Sequence, residues 1–127
     1  GTSTEFAENG GRAIILNHPL TLINNGVIGG GGGGGGGFDS GAFDPPIFGG
    51  GGAGFAVGLS NPVTANGTTE SGGDTGNLSV GKGGNLGQNG TNGSIGSGAG
   101  VAGWAINKNG FVLTQTLLGD VRGFVLG

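Results

Sequence analysis

Nine consecutive glycines at positions 29–37, GGGGGGGGG, decide how this chain of 127 residues can fold. Further along, glycine recurs at every third position in 81–96, and the same register continues on Ala99, Ala102 and Ala105. Polyproline II is the regular conformation that repeats every three residues with an extended backbone, and it rises ~3.1 Å per residue. A face restricted to glycine or alanine implies that another backbone passes too close for a larger side chain.

These glycines predict several polyglycine II helices, formed by one chain that folds back on itself. Collagen also has glycine every third residue, but it needs frequent proline elsewhere, and no proline follows Pro62. A polyproline II helix has no internal hydrogen bonds, so each buried N–H and C=O must pair with a neighbouring helix. The run 29–37, which spans roughly 28 Å, can be surrounded on all faces at the centre, while 81–103 belongs at the periphery.

A flexible glycine linker is the plain alternative, since glycine supplies 38 of the 127 residues. Charged residues make up only 9% of the chain and hydrophobic residues 33%, whereas disordered chains carry more charge and less apolar surface. Strict three-residue spacing also has no reason to exist in a linker. Because ordering glycine is unfavourable, a dense ladder of backbone hydrogen bonds must offset it, which favours one compact stack.

The predicted fold class is therefore irregular, with little regular secondary structure: a stack of about five polyglycine II helices flanked by small β-strand regions. Three regions are expected along the chain. Residues 1–28 form an N-terminal β-strand region, 29–103 a polyglycine II helix sandwich, and 104–127 a C-terminal β cap. The small apolar content does not predict a large hydrophobic core.

The five predicted helices cover 29–37, 49–57, 65–73, 81–88 and 93–102. A tight turn is expected near Asn89–Gly90 or Asn92–Gly93. If neighbouring helices alternate in direction, loops 38–48 and 74–80 emerge at one end and loop 58–64 at the other. Close packing at the centre makes Gly33→Val disruptive, whereas Asn85→Val, at an outward position, is expected to be nearly silent.

Short strands are predicted on both sides of the glycine-rich middle. Two apolar runs within 12–28 are separated by Asn17–His18–Pro19, and Asn25–Gly26 then turns the chain towards the glycines. Lys108–Asn109–Gly110 is a strong hairpin signal between further apolar runs in 104–127. Both β regions can cap the ends of the glycine stack, where backbone groups would otherwise be unpaired.

Composition and motifs argue against an enzyme. The P-loop-like residues 76–82 are followed by Gly83, where Ser or Thr would hold magnesium. His18, the single histidine, precedes a proline in a turn and has no nucleophile beside it. The acidic residues are too scattered for a calcium loop, and there is no cysteine. We therefore expect no catalytic residue, no metal and no cofactor.

The charge and hydropathy pattern also restricts the partners. A net charge of −3 with four basic residues cannot make a surface that follows phosphates, so nucleic acid is not an expected partner. No apolar run approaches the ~20 residues that span a bilayer, so insertion into a membrane is not expected. No signal peptide opens the sequence, which can equally be a piece of a longer protein.

Loop 38–48 is the most informative candidate for binding. It holds three of the seven phenylalanines, and Pro45–Pro46 stiffens it, which lowers the entropy lost on presenting a fixed shape. Aromatic residues beside acidic ones suit a protein-binding tip; alternatively, the phenylalanines fold down and shield the glycines. The candidate residues are Phe38, Asp39, Phe43, Asp44, Pro45, Pro46, Ile47 and Phe48, with Leu59, Asn61 and Pro62 in loop 58–64 and Leu78 in loop 74–80.

Two parts of the sequence resemble the tips of tailed-phage receptor-binding proteins. The first is Leu22-Ile23-Asn24-Asn25-Gly26-Val27-Ile28 running into the glycines, with Gly49 to Gly54; the second is the C-terminal pattern from Ala102-Gly103-Trp104 to Gly123. Two branches share these features, namely the distal long-tail-fibre adhesins of T-even phages and the C-terminal tips of lambda-like host-specificity, or central tail fibre, proteins. The resemblance covers roughly 12–127.

The resemblance implies a polyglycine II sandwich whose loops bind a bacterial outer-membrane protein or a surface glycan. It implies a location at the tail fibre tip of the virion, attachment to the remainder of the fibre, and no enzymatic activity. Both a monomer and a trimer within a fibre are compatible with it. A purely structural fibre spacer is an alternative, and a polyglycine II antifreeze protein is another, although the outward positions of 81–96 lack the regular small residues that a flat ice-binding face needs.

Overall fold

The computed structural model describes residues 7, 9–38, 49–54, 67–95, 98–117 and 119–127. This part of the chain contains no helix, and hence none that could cross a membrane. Its regular structure consists of seven short strands: β1 Ile14–Ile15, β2 Leu20–Ile23, β3 Val27–Gly29, β4 Ile106–Asn107, β5 Leu113–Leu117, β6 Asp120–Arg122 and β7 Val125–Leu126. The predicted class with little regular secondary structure is confirmed at this level.

The strands of the two terminal regions pair with each other in parallel. β1 pairs with β4, β2 with β5 and β3 with β6, so the C-terminal region follows the N-terminal one side by side. β7 then pairs with the other edge of β4, which gives three small sheets of order β1-β4-β7, β2-β5 and β3-β6. The chain thus passes through the three sheets in turn and returns to the first sheet with β7. We call this unit, residues 13–29 and 104–126, the coil.

The turn predicted at 108–110 is present, but the hairpin is wrong. Asn109 and Gly110 have φ angles of 50° and 80°, and the N–H of Phe111 donates to the carbonyl of Lys108 at 2.8 Å. Positive φ at both central residues is typical of a tight hairpin turn. The flanking strands nevertheless do not pair, because both edges of β4 are already occupied by β1 and β7. The turn instead leads the chain to the next side of the coil.

The nine-glycine run lies among the other glycine-rich segments and is hydrogen-bonded to most of them. The run and these segments, which we call the glycine body, are residues 9–13, 29–37, 49–54, 67–73, 81–86, 88–95 and 98–103. Backbone bonds join the run directly to 9–13, 49–54, 81–87, 88–95 and 98–103, and the N–H of Gly30 donates to the carbonyl of Arg122 in β6. Segment 67–73 packs outside them, on 49–54 and 81–87. A segment without side chains on any face can have neighbours all around it.

The backbone hydrogen bonds that the run makes to a given neighbouring segment recur every three residues. The carbonyls at 30, 33 and 36 accept from the amides at 87, 84 and 81, with lengths of 2.7, 2.8 and 2.9 Å. The amides at 32 and 35 donate to the carbonyls at 53 and 50, and those at 33 and 36 donate to 88 and 91. Segments 49–54 and 81–87 are therefore antiparallel to the nine-glycine run, and segment 88–95 is parallel to it.

The close approach of backbones at the three-residue glycines is confirmed. A Cβ atom at Gly81, Gly84, Gly90 or Gly93 would overlap a backbone carbonyl oxygen of a neighbouring segment. The same holds along the run, where a Cβ at Gly33 would overlap the carbonyl of Gly100. Contacts this short cannot be relieved by a side-chain rotation, because the atom in the way belongs to a backbone.

The chain reverses earlier than predicted. It turns at Leu86–Gly87, where Gly87 has a φ of 75° and the N–H of Gln88 donates to the carbonyl of Asn85 at 2.8 Å. The turn expected near Asn89–Gly90 or Asn92–Gly93 is therefore wrong. So is the prediction of one helix over 93–102, because 88–95 and 98–103 are separate segments. Gly87 continues the three-residue register of packing glycines, so its use as a turn residue leaves no mark in the spacing.

At the edge of the glycine body, three asparagine side chains take the place of a neighbouring backbone as hydrogen-bond acceptors. Each accepts a hydrogen bond from a backbone N–H of the next segment: Asn85 Oδ1 from Gly72 at 3.0 Å, Asn89 Oδ1 from Ala102 at 2.8 Å and Asn92 Oδ1 from Ala99 at 3.1 Å. Asn85 is exposed, as predicted for an outward position. This hydrogen bond argues against the expectation that Asn85→Val is nearly silent, because valine would leave the amide of Gly72 without this acceptor.

Apolar side chains contribute a small core. The buried ones among the described residues are Leu16, Ala53, Val80, Ala105 and Ile106.

A cluster of charged side chains also connects the coil to the glycine body. Arg122 in β6 contacts Glu70 at 3.0 Å and Asp120 at 2.8 Å, and these carboxylates raise the pKa of its guanidinium, Asp120 having the larger effect. Backbone pairing thus carries most of the structure, as the composition predicts.

Candidate functional site

The molecule has two different ends. The far end is the one where Gly36 bonds to Gly81 and Thr91, and where Gly50 bonds to Gly81. The coil end is the one where Gly30 bonds to Arg122 of β6. Described residues on both sides of loops 38–48 and 74–80 lie at the far end, as predicted, and those flanking 58–64 lie towards the coil end.

Side-chain hydrogen bonds to the backbone hold loop 74–80 in a defined shape. Asp74 Oδ1 accepts from the N–H of Gly76 at 2.9 Å, and Asn77 Oδ1 accepts from the N–H of Ser79 at 2.9 Å. Between them, Thr75 Oγ1 accepts from the N–H of Asn77 at 3.2 Å. Such local bonds are typical of turns that are ordered before any ligand arrives.

An ion pair closes the base of this loop. The Lys82 ammonium lies 2.7 Å from the Asp74 carboxylate, and both side chains are largely exposed. The hydrogen bond from Lys82, followed by that from the amide of Gly76, lowers the pKa of Asp74 below its ordinary value. The carboxylate is therefore ionised at neutral pH, where it holds both ends of the loop.

Leu78 projects from the tip of the loop and is 82% exposed, whereas Val80 in the same loop is buried. The loop also pairs with the end of segment 88–95. The carbonyl of Leu78 accepts from the N–H of Ser94 at 3.0 Å, and that of Ser79 accepts from Ile95 at 3.2 Å. Ile95 is 51% exposed. Two exposed aliphatic side chains are thus carried by paired backbones at the far end, and we call them the tip pair.

The predicted binding residues divide into two groups. Leu78 is at the far end and exposed, and Phe38 is half-buried where the run leaves that end. The others, Asp39, Phe43, Asp44, Pro45, Pro46, Ile47, Phe48, Leu59, Asn61 and Pro62, lie outside the described residues, so their roles stay predictions. Sequence reasoning missed Ile95. The sequence feature that could have identified Ile95 is an aliphatic residue at a non-glycine position, close to the point where the chain reverses.

The described residues contain no set of three His, Cys, Asp or Glu side chains able to hold a metal ion. His18 is exposed, and its Nδ1 lies 2.8 Å from the carbonyl oxygen of the neighbouring Pro19. The described part of the far end presents aliphatic, amide and hydroxyl groups and the Asp74–Lys82 ion pair on ordered backbone. Such groups suit binding to another molecule's surface.

The coil also exposes apolar side chains in each of its three sheets. Ile15 in β1, Ile23 in β2 and Val27 in β3 are exposed, and Ile23 has 66% of its surface accessible. We call these three residues the coil patch. Along the paired strands, Asn107 is opposite Ile15 and Asp120 is opposite Val27. Leu117, which is opposite Ile23, is exposed as well, so at this position both turns of the coil show an aliphatic side chain.

The fold and the ordered far end define a binding protein built on a backbone scaffold, and the chain belongs to the phage tail fibre adhesin family Gp38, which matches residues 1–126. This membership confirms the predicted family and its location at the tail fibre tip of the virion. It corresponds to the tail-fibre adhesin branch of the two that the sequence resembles. No curated protein matches the chain by sequence.

A solved structure extends this finding. The crystal structure of the gp37–gp38 adhesin tip complex of the bacteriophage S16 long tail fibre contains a chain similar to this one, with a TM-score of 0.65 and 28% identity. The similarity covers 94% of this chain and 51% of that one. This chain thus spans about half the length of its solved relative.

Proposed function

We propose that this protein recognises a receptor on the bacterial surface, an outer-membrane protein in the first place, through loops on a rigid polyglycine II scaffold. The observation that carries the proposal is the tip pair. Leu78 is exposed on an ordered loop and Ile95 on the segment that pairs with this loop, at the end of the molecule away from the coil. Preordered loops bind with a smaller loss of entropy, and exposed apolar side chains on them suit an interface.

The polyglycine II scaffold is supported by the hydrogen bonds of the run. A threefold helix directs its backbone groups outwards in three directions, so bonds to any one neighbour must recur every third residue. The carbonyls at 30, 33 and 36 follow this rule towards a single segment. None of the glycines in 29–37 has a positive φ, in agreement with the negative φ of this conformation.

Binding is the whole of the proposed activity. The far end offers neither a nucleophile with a base nor a set of metal ligands among the described residues, and loop 74–80 is held by hydrogen bonds to its own backbone. We therefore propose a non-enzymatic adhesin that needs no cofactor and has no nucleic acid partner. A surface glycan remains the second receptor class.

The remainder of the tail fibre is the proposed partner at the coil. The solved relative forms a complex with gp37, another protein of its long tail fibre. In this chain the coil patch leaves aliphatic side chains exposed at the end away from loops 38–48 and 74–80, and we propose that they contribute to the contact with the fibre. An adhesin must hold the fibre at one end and display its loops at the other.

The test is retention of the purified protein on outer membranes of the host, with competition against phage adsorption. In the test variant, Leu78→Ser is combined with Ile95→Ser. Val112→Ser is the matched control, because Val112 is 67% exposed and lies on the coil. Burying a leucine or isoleucine side chain contributes about 1.5–3 kcal/mol, so the double variant should bind at least tenfold more weakly.

The expected result is weak binding by the double variant, unchanged binding by Val112→Ser and equal melting temperatures for both. Equal binding by all three proteins would remove the tip pair from the site and shift it to the loop holding Phe43 and Phe48. A protein that binds no membrane and blocks no adsorption would instead be a structural spacer of the fibre.

A further inference from the structure

A cleft of about 340 Å³ opens on the side of the molecule near the coil end. It lies between segments 88–95 and 98–103 and the connection from β6 to β7. Asn89, Val101, Trp104 and Phe124 form its walls, over a floor that includes Gly87 and Gly123. None of these residues belongs to the far end, so the cleft is separate from the loops proposed to bind the receptor.

The floor of the cleft exists because two glycines meet there. Gly87 and Gly123 have φ angles of 75° and 108°, a region that other residues rarely adopt. A Cβ on Gly87 would lie 2.5 Å from the backbone nitrogen of Gly123, and a Cβ on Gly123 would lie 3.2 Å from the Cα of Gly87. The floor is therefore bare backbone, which a ligand can approach closely.

The walls combine aromatic rings with one amide that has hydrogen-bonding capacity to spare. Phe124 is 70% exposed, while its carbonyl accepts from the N–H of Ala105 at 2.9 Å, so a fixed backbone carries an accessible ring. Asn89 uses its Oδ1 to accept from the N–H of Ala102, which leaves the two Nδ2 hydrogens for a ligand.

Charge restricts what the cleft can accept. No residue of its lining is ionisable. The guanidinium of Arg12 is stacked on the ring of Trp104, 4.6 Å from its centroid, and Arg122, next to Gly123, is paired with Glu70 and Asp120. A lining without ionisable groups complements a neutral ligand, since a charged ligand would lose its hydration without finding an ionised partner among the lining residues.

We propose that this cleft binds a neutral sugar ring. A pyranose has an apolar face of C–H groups, which fits the rings of Trp104 and Phe124, and a rim of hydroxyls, which fits the Asn89 amide and the bare backbone. Ligand pockets combine a mainly apolar lining with a few polar groups in this way. The proposal rests on the proposed function only for the source of the sugar, namely a polysaccharide of the bacterial surface.

Trp104 provides a direct test, because it is the single tryptophan of the chain and lines the cleft. Glucose, galactose and N-acetylglucosamine are titrated separately into the purified protein while the tryptophan emission is recorded. The tripeptide Gly-Leu-Gly is titrated as the alternative occupant, a short apolar peptide. We expect a saturable change with at least one sugar and a weaker response to the tripeptide.

Three variants assign the signal to the cleft. Phe124→Ala removes an exposed ring, and we expect about tenfold weaker sugar binding. Asn89→Asp keeps the acceptor for Ala102 but loses the amide donor, so binding should weaken while the melting temperature stays the same. Val112→Ala, which is exposed elsewhere on the coil, should bind as the unmodified protein does.

Three results would overturn the proposal: no saturable change with any of the three sugars, equal affinity in Phe124→Ala, or a tripeptide that binds as tightly as the best sugar. All the titrations use sugars and the isolated protein, whereas the receptor test uses membranes and the tip pair. Failure of the cleft and failure of the receptor proposal are therefore distinguishable.

Discussion

Replacing Gly33 by Ala adds one methyl group at the centre of the glycine body. The new Cβ would overlap the carbonyl of Gly100 and lie 2.9 Å from the backbone nitrogen of Val101. The run cannot move aside freely, because the N–H of Gly33 donates to Gln88 at 3.0 Å and its carbonyl accepts from Gly84 at 2.8 Å. Any shift that relieves the overlap must lengthen these bonds.

The magnitude follows from these contacts. Overpacking in a well-packed interior costs about 1–3 kcal/mol. Three displaced backbone bonds, including that from the N–H of Gly100 to the carbonyl of Gly34, add roughly 0.5–1.5 kcal/mol each. Alanine also restricts the unfolded chain more than glycine does, and this effect alone would stabilise the folded protein by about 0.4–1 kcal/mol. The free energy of unfolding should therefore fall by roughly 1.5–7 kcal/mol. A loss of about 4 kcal/mol, in the middle of this range, is equivalent to a melting temperature lower by roughly 15 °C.

Gly11→Ala is the matched control, since a Cβ at Gly11 meets nothing within 4 Å and its φ is not positive. It should change the free energy of unfolding by no more than about 0.5 kcal/mol in either direction. Calorimetry, with Trp104 fluorescence as a second probe, measures both variants. Melting temperatures for Gly33→Ala and Gly11→Ala that agree within experimental error would refute the close-packed centre.

Two further predictions concern exposed polar groups. Asn85→Val should lower the free energy of unfolding by about 1 kcal/mol, because the amide of Gly72 loses its acceptor. An unchanged melting temperature would show that water replaces the asparagine. The bonds of Asp74 to Lys82 and Gly76 stabilise the loop above the ordinary pKa of the carboxyl and are lost as the pH falls through its lowered value. The amide resonance of Gly76 should therefore shift at acid pH, and its position should be independent of pH in Asp74→Asn.

The sequence predicts those features that depend on local chemistry. The turns at Asn25–Gly26 and Asn109–Gly110 follow from the preference of these dipeptides for tight turns, and the short strands follow from apolar runs between turn residues. The three-residue glycine spacing predicts backbones in close contact, and the overlaps at Gly84 and Gly90 agree with it. The run of nine glycines is predicted to lie at the centre, and its bonds on several sides agree with that.

Features that depend on distant partners could not be predicted. The coil pairs β1 with β4 and β2 with β5, strands with most of the chain between them, and parallel pairing leaves no turn signature at either strand. Gly87 looks like a packing glycine in sequence, although it turns the chain. The asparagines that accept hydrogen bonds from neighbouring segments look like ordinary surface residues. Ile95 belongs to the candidate site only because its backbone pairs with loop 74–80.

We conclude that the all-glycine run is an ordered interior segment, held by backbone bonds to neighbours on several sides. Amide hydrogen exchange of residues 30–36 tests it directly, with Gly110 and Gly127 as exposed references in open space. Amides that hydrogen-bond within the centre should exchange only through global unfolding, orders of magnitude more slowly than the references. Exchange of the run at the rate of Gly127 would mean that it is a flexible linker, and the account of the fold would be wrong.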